Sequence, residues 1–477
     1  MDTQNEKSKG QELLDKLSYK TKNAWENKTD KDQVFNFCNG YKAFLDKGKT
    51  ERECVKEAVE KAEKLGFKDF DNVIEQKLPV KAGDKLYRII RNKAAIFAVA
   101  GKKSLEMGTH MVGAHIDAPR LDLKQNPLYE NTDMVFMKTH YYGGIKKYQW
   151  LAIPLSLHGI IIKKNGEAVN INIGENEGDP VFTITDLLPH LAKDQMDKKM
   201  SEAVTGESLN SLAGSIPYDD KDVKEKVKLN ILNILFEKYG ITEEDFLSSE
   251  LELVPAFKAK DIGFDRSMVG AYGQDDRVCA YTSMMALFDI NDPEYTSICV
   301  LTDKEEIGSV GNTGAQSRFL EDFIADLCSL TSSNYSDILV RRCLSNSVML
   351  SADVNAAVDP NYEGTHDKLN AAYLGKGIAI MKYAGARGKS GASDAHAELI
   401  ARMRKVFNDN NISWHTTELG AVDKGGGGTI SSLVSSLGID VVDCGVPVLS
   451  MHSPFETTSK VDIYAAYKGF KAFLIDL

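Results

Sequence analysis

The chain has 477 residues, a formal net charge of −11 and 27% charged residues, which fits two or three domains with real cores. Its basic residues never run longer than pairs, excluding a broad nucleic-acid surface, and apolar runs such as AIFAVA at 95–100 are too short for a bilayer. Seven scattered cysteines without a CxxC pair, and no apolar leader after MDTQNEKSKG, give the expectation of a reducing, cytoplasmic location without disulfides.

In chain order, WENKTDKDQVFNFCNGYKAFLD and ERECVKEAVEKAEKLGF have the apolar spacing of amphipathic helices. KLYRIIRNKAAIFAVA (85–100) and HMVGAHID (110–117) read as strands, the second buried and carrying His115 and Asp117 at its C-terminal end. From 151 to 174 the chain is β-rich, with a hairpin around KKNG. LNSLAGSIPYDD (209–220) reads as a surface loop, VKEKVKLNILNILFEKYG (223–240) as a helix, and FLSSELELVPAFKAKDIGF as renewed strands. This middle stretch has the character of a domain inserted into a larger one.

After 270 an α/β pattern returns. DRVCAYTSMMALFDI reads as a helix behind GQDD, TSICVLTDKEE as a strand ending in acids, and FLEDFIADLCSL as a helix. SNSVMLSADVNAA places Asp353 after a strand, HAELIARMRKVFNDNN is a helix, and SSLVSSLGIDVVDCGVPVLSMHS runs helix–strand–strand to His452. An open α/β sheet places its active site at the C-terminal ends of its strands.

Polar groups gather at just such positions: His115 and Asp117, Asp275 and Asp276 in QDDR, Glu305 and Glu306 in DKEE, Asp353 in SAD, and His452 in MHS. Imidazole and carboxylate are zinc ligands, and a two-metal site needs one carboxylate shared between ions about 3.5–4 Å apart. In such a set His115, Glu306, Asp353 and His452 are terminal ligands and Asp275 the bridge. Adjacent glutamates point in different directions, so Glu306 can bind metal while Glu305 takes a proton from the activated water. Asp117 lies on the same strand face as His115, where it can orient the imidazole. Spacing alone leaves plainer alternatives open: a structural histidine at 115, a solvated turn at 305–306, and a helix cap at 275–276.

At these residues the sequence resembles the M18 metallo-aminopeptidases, in particular the aspartyl aminopeptidase group. The likeness is carried by GAHIDAPRLDLK (114–124), VGAYGQDDRVCA (269–280), DKEEIGSVGNTGAQS (303–317), LSADVNAAVDPNY (350–362), GKGIAIMKY (375–383) and GVPVLSMHSPFETTS (445–459). It implies metal ligands His115, Asp275, Glu306, Asp353 and His452, a general base at Glu305, and Asp117 as partner of the ligand histidine. It also implies that Lys382 lies near the pocket for an acidic substrate side chain, an exposed lysine being the alternative.

The implied fold is α/β, a two-metal exopeptidase-like three-layer catalytic domain (1–120 and 263–477) with an inserted β-rich dimerisation domain (121–262). The implied partners are short peptides and further copies of the chain, as a dodecamer built from dimers, with neither nucleic acid nor membrane. Two divalent metal ions per subunit are expected, zinc by its ligands, with cobalt or manganese as substitutes. The implied reaction removes acidic N-terminal residues; the alternatives are neutral or broad specificity, and a catalytically silent cage.

Two departures bear on specificity. VNAAVD follows Asp353 where many relatives have histidines, and THYYGGIKKYQW lacks the histidine–threonine–tryptophan pattern of better-known members. His140 and His158 are the candidates for an insertion histidine reaching a neighbouring site, with a surface or packing role as the alternative. GGGG at 425–428 reads either as a close-approach loop at the pocket or as a simple linker.

Overall fold

Strand Ala94–Val99 shows how the larger part of the molecule is held together. All six residues are buried; Ala95, Phe97 and Val99 enter one core while Ile96 and Ala98 enter another on the opposite face. Side chains alternate across a strand, so an unbroken apolar run marks a sheet covered on both sides. Helices Lys31–Lys47, Glu51–Lys64, Gln274–Phe288, Ala397–Asp409 and Lys460–Asp476 cover the first face. Phe319–Thr331, Asp337–Ser345 and shorter helices cover the second. The result is a three-layer α/β sandwich around a mixed nine-stranded sheet.

The computed structural model describes residues 7–27 and 29–477. Residues 1–6 of MDTQNEKSKG, on which the expectation of no leader falls, and Lys28, within the first expected helix, lie outside the described residues. That helix begins at Lys31, where the Asp30 carboxylate accepts from the backbone of Asp32 and Gln33; Ala24–Glu26 is a separate 3-10 turn.

At the centre of the sheet Thr109–His115 runs parallel to both Thr296–Thr302 and Val348–Ser351. Three neighbouring strands therefore deliver their C-terminal ends to one rim. The chain then leaves along Arg120–Asn131 into an antiparallel six-stranded sheet with Met134–Tyr142, Leu155–Ile162, Ala168–Ile173, Ser211–Gly214 and Ser249–Pro255. This sheet has its own core around Trp150, Leu157, Leu253 and Tyr272. The expected hairpin forms, Leu155–Ile162 pairing with Ala168–Ile173.

One segment differs from its sequence reading. Within 209–220, Ser211–Gly214 adds an edge strand to the insertion, pairing with Met134–Tyr142 through a register shift. Only this four-residue strand is ordered into the sheet, and Pro217 and the acids beyond carry a loop's composition. A third, five-stranded sheet joins Lys260–Ile262, Met268–Ala271, Glu456–Ser459, Pro447–Leu449 and Asn355–Ala356. It brings the segments around Asp275, Asp353 and His452 together. Among the described residues, no helix is long and apolar enough to cross a membrane.

Candidate active site

His115 ends the central strand, buried, with its Nε2 3.4 Å from Asp275 Oδ1 and 4.0 Å from both Asp353 Oδ1 and Glu305 Oε2. His452 approaches from the opposite side: its Nε2 is 3.2 Å from Asp275 Oδ2 and 3.5 Å from Glu306 Oε2. The two oxygens of Asp275 thus face different histidines. Two triads have donor atoms within 4.8 Å of one another, His115 with Asp276 and Asp353, and His115 with Asp275 and Glu306.

Backbone hydrogen bonds hold these groups in place. Asp117 accepts from the amides of Glu305 and Glu306 at 3.1 and 3.2 Å, and its Oδ1 lies 3.3 Å from His115 Nδ1. The backbone carbonyl of Asp117 also lies 3.1 Å from His115 Nδ1, so Asp117 fixes the ring of His115 through both its carbonyl and its carboxylate, and the carboxylate fixes the turn that carries both glutamates. Glu456 does the same on the other side, accepting from the amides of Asp275 at 3.0 Å and His452 at 2.8 Å. His452 has a positive φ of 61°, and its Nδ1 donates to the carbonyl of Gly144 at 2.8 Å.

The electrostatics are those of crowded carboxylates out of water. Burial opposes charge on His115, yet Asp117 and Asp275 outweigh it and raise its pKa well above the usual imidazole value. His452, also desolvated, is pushed up to about 10 by Asp275 and Glu306. Burial lifts Glu306 and Asp353 well above the carboxylate range, reinforced by Asp275 beside the first and Asp276 beside the second. Burial likewise lifts Glu305. Asp275 is pushed up by burial but goes down in balance, because both histidines face it. Glu306 Oε1 is buried without a protein hydrogen-bond partner.

Nitrogen and oxygen donors, an excess of negative charge and a carboxylate turned both ways fit a pair of divalent cations. The two triads, each able to hold a metal ion, support a two-metal active site.

The family described as Aminopeptidase I zinc metalloprotease (M18) matches residues 44–474. The chain belongs to the M18 family of aminopeptidases. It is 52% identical over 455 residues to a probable M18 family aminopeptidase 1 of Clostridium acetobutylicum, covering 95% of this chain and 98% of that one. The crystal structure of the Thermotoga maritima M18 aminopeptidase superposes with a TM-score of 0.93 at 45% identity, covering 96% of this chain and 100% of that one. A yeast mApe1 dodecamer, 23% identical with a TM-score of 0.73, covers 93% of this chain and 96% of its own and shares the fold. With its cluster of ligating side chains, this M18 protein is a metal-dependent aminopeptidase.

In this M18 aminopeptidase the structure brings His115, Asp117, Asp275, Glu305, Glu306, Asp353 and His452 together. Lys382 stands apart, half exposed at the end of strand Ile378–Met381 and paired with Asp394 at 2.7 Å. His140 is exposed with Nδ1 2.9 Å from the carbonyl of Tyr141, and His158 is buried between Glu53 and Glu175. In GGGG, Gly425 and Gly426 lie against the backbones of Leu419 and Ala386, where an added Cβ would meet atoms at 2.0 and 2.5 Å.

Sequence reasoning missed four contributors. Asp276, for which the sequence offered a helix cap as the plainer alternative, lies in one of the two triads that could hold a metal ion and accepts from the His115 amide at 3.3 Å. Glu456, in SPFETTS, clamps two chain segments. Tyr142 and Gly144 reach the site from the insertion. The tract quoted around YYGG was the available signal for the last two.

Proposed function

We propose that this aminopeptidase removes N-terminal residues from short peptides with a neutral or broad preference, using two zinc ions and Glu305 as proton carrier. The supporting observation is Asp275, whose oxygens lie 3.4 Å from His115 Nε2 and 3.2 Å from His452 Nε2. In this function Asp275 is the bridge and His115, Glu306, Asp353 and His452 are the terminal ligands. When bound, a pair of divalent cations supplies Lewis-acid activation of water and of the scissile carbonyl. The nitrogen and carboxylate donors and the description of the matching family favour zinc, with cobalt or manganese able to occupy similar ligands.

Glu305 is mostly buried but retains 18% side-chain exposure, so it can meet substrate. Its raised pKa suits a group that accepts a proton from water and passes it to the leaving amine. Asp117 holds His115 in one ring orientation, with its backbone carbonyl 3.1 Å and its Oδ1 3.3 Å from Nδ1.

A preference for acidic residues would need an available cation in the pocket. Lys382 is neutralised by Asp394, which also takes Lys389 at 3.3 Å. This favours neutral or broad specificity. The test is release from peptides beginning with Asp, Glu, Leu, Ala or Lys, with metal analysis of the same sample. Leu and Ala should be released at least as fast as Asp and Glu, and Lys382→Ala should leave that order unchanged. Exclusive release of Asp and Glu would reverse the assignment.

We also assign 121–262 as the dimerisation unit and 1–120 with 263–477 as the catalytic unit of a dodecamer. Exposed Val181, Leu187, Leu188, Leu191, Met196 and Phe236 in the insertion support self-association. A closed cytoplasmic shell would admit short peptides and exclude folded proteins.

A further inference from the structure

The insertion reaches the active site through three consecutive residues. Tyr142 ends strand Met134–Tyr142, and its hydroxyl donates to Asp117 Oδ2 at 2.9 Å. Gly143 follows with φ 73°, and a Cβ there would come 3.3 Å from Glu306 Cβ and Oε2. Gly144 then accepts from His452 Nδ1 at 2.8 Å.

The ring of Tyr142 is itself clamped. The Arg120 guanidinium lies 3.8 Å from its centroid, and Arg120 is held by Asp122, Glu252 and Glu51 at 2.8, 3.1 and 3.4 Å. Arg120 and Tyr142 face each other across the first two strands of the insertion sheet. The phenol is thus aimed at Asp117 by a cation whose own place is fixed from both the insertion and the helix beginning at Glu51.

We propose that Tyr142 is a positioning residue of the reaction, fixing Asp117 so that one carboxylate orients His115 and the Glu305–Glu306 turn together. Asp117 has two oxygens and four donors around it: the His115 ring, two amides and the phenol. Without the phenol, the carboxylate can rotate away from the two weaker amide bonds. The histidine then keeps the Asp117 backbone carbonyl 3.1 Å from Nδ1 but loses the carboxylate's hold on its ring, and Glu305 loses its fixed turn. Partners that orient a ligating histidine typically change metal affinity about 10- to 100-fold when removed. The proposal rests on the reading of His115 as a ligand and Glu305 as proton carrier.

The test uses the full chain with Tyr142→Phe, Asp117→Asn, the double variant, and Tyr141→Phe as control. Tyr142→Phe keeps the ring under Arg120 and removes only the hydroxyl. Zinc affinity is measured on metal-stripped protein against a chromogenic chelator, and kcat and KM on a leucyl peptide. Both are measured well below each variant's melting transition, with far-UV circular dichroism verifying the fold.

Tyr142→Phe should weaken zinc binding about tenfold or more and lower kcat with KM within about twofold. It should add nothing to Asp117→Asn, because both act through one carboxylate. Tyr141→Phe should match the wild type. Unchanged zinc affinity in Tyr142→Phe, or losses that multiply in the double variant, would overturn the proposal. Failure of the wild type to release any N-terminal residue would remove the functional reading instead, and zinc affinity would still decide the role of Tyr142.

Discussion

The nine-stranded sheet and the insertion sheet handle their surfaces in different ways. The first is covered by helices on both faces, and its central parallel strands bring the polar groups of the candidate site to their C-terminal ends. The second is antiparallel, with helix Lys226–Tyr239 burying only Val227 and leaving Ile234 and Phe236 exposed. An apolar cavity of about 490 Å³ lies between that helix and the sheet, lined in part by Leu128, Ile161, Ile231 and Leu235. The difference teaches a division of labour. The α/β part supplies side chains that can hold cations or move protons, whereas the insertion supplies a phenol, a tight glycine and a carbonyl that aim them.

That division makes graded predictions. Removing a group of the first kind should abolish a function, and disturbing the second kind should attenuate it. Asp275→Ala should have the largest effect, with metal content by mass spectrometry falling and peptide release dropping to background. Metal retained at the wild-type level would end the bridging role. Glu305→Gln comes next: turnover should fall about 10²- to 10⁴-fold while metal stays bound. Near-normal turnover would remove Glu305 as proton carrier.

Gly143→Ala should be milder. Its Cβ would press on Glu306 at 3.3 Å, and φ 73° adds about 1–2 kcal/mol of backbone strain. The expected outcome is a fall in kcat of about tenfold, the scale of a disturbed supporting contact, and a lower melting temperature. A loss as complete as that of Asp275→Ala would break the division between the two regions.

Much of the fold was legible because burial leaves a periodic trace. AAIFAV and HMVGAH are apolar without alternation, as strands covered on both faces must be. The hairpin around KKNG and the helix at 223–240 were legible for similar local reasons. The edge strand Ser211–Gly214 was not, because four residues with Gly214 at the end carry too short a pattern to outweigh the loop composition beyond. At the candidate site, acids and histidines bordering strand-like runs or opening a helix marked His115, Asp117, Asp275, Glu305, Glu306, Asp353 and His452, and resemblance gave them roles. Tyr142, Glu456 and the carbonyl of Gly144 act through single hydrogen bonds across long sequence separations. Such contacts leave no spacing rule in the chain.

The yoke formed by Glu456 has a consequence for how the enzyme comes into being. One carboxylate joins the amides of Asp275 and His452, and the strand bearing it, Glu456–Ser459, pairs with Met268–Ala271. A growing chain that has emerged only as far as Leu449 holds His115, both glutamates and Asp353, but neither His452 nor the carboxylate that seats Asp275. On the ligand set proposed above, a chain of that length would lack peptide-cleaving competence. Long-range pairing of this kind is slow to form.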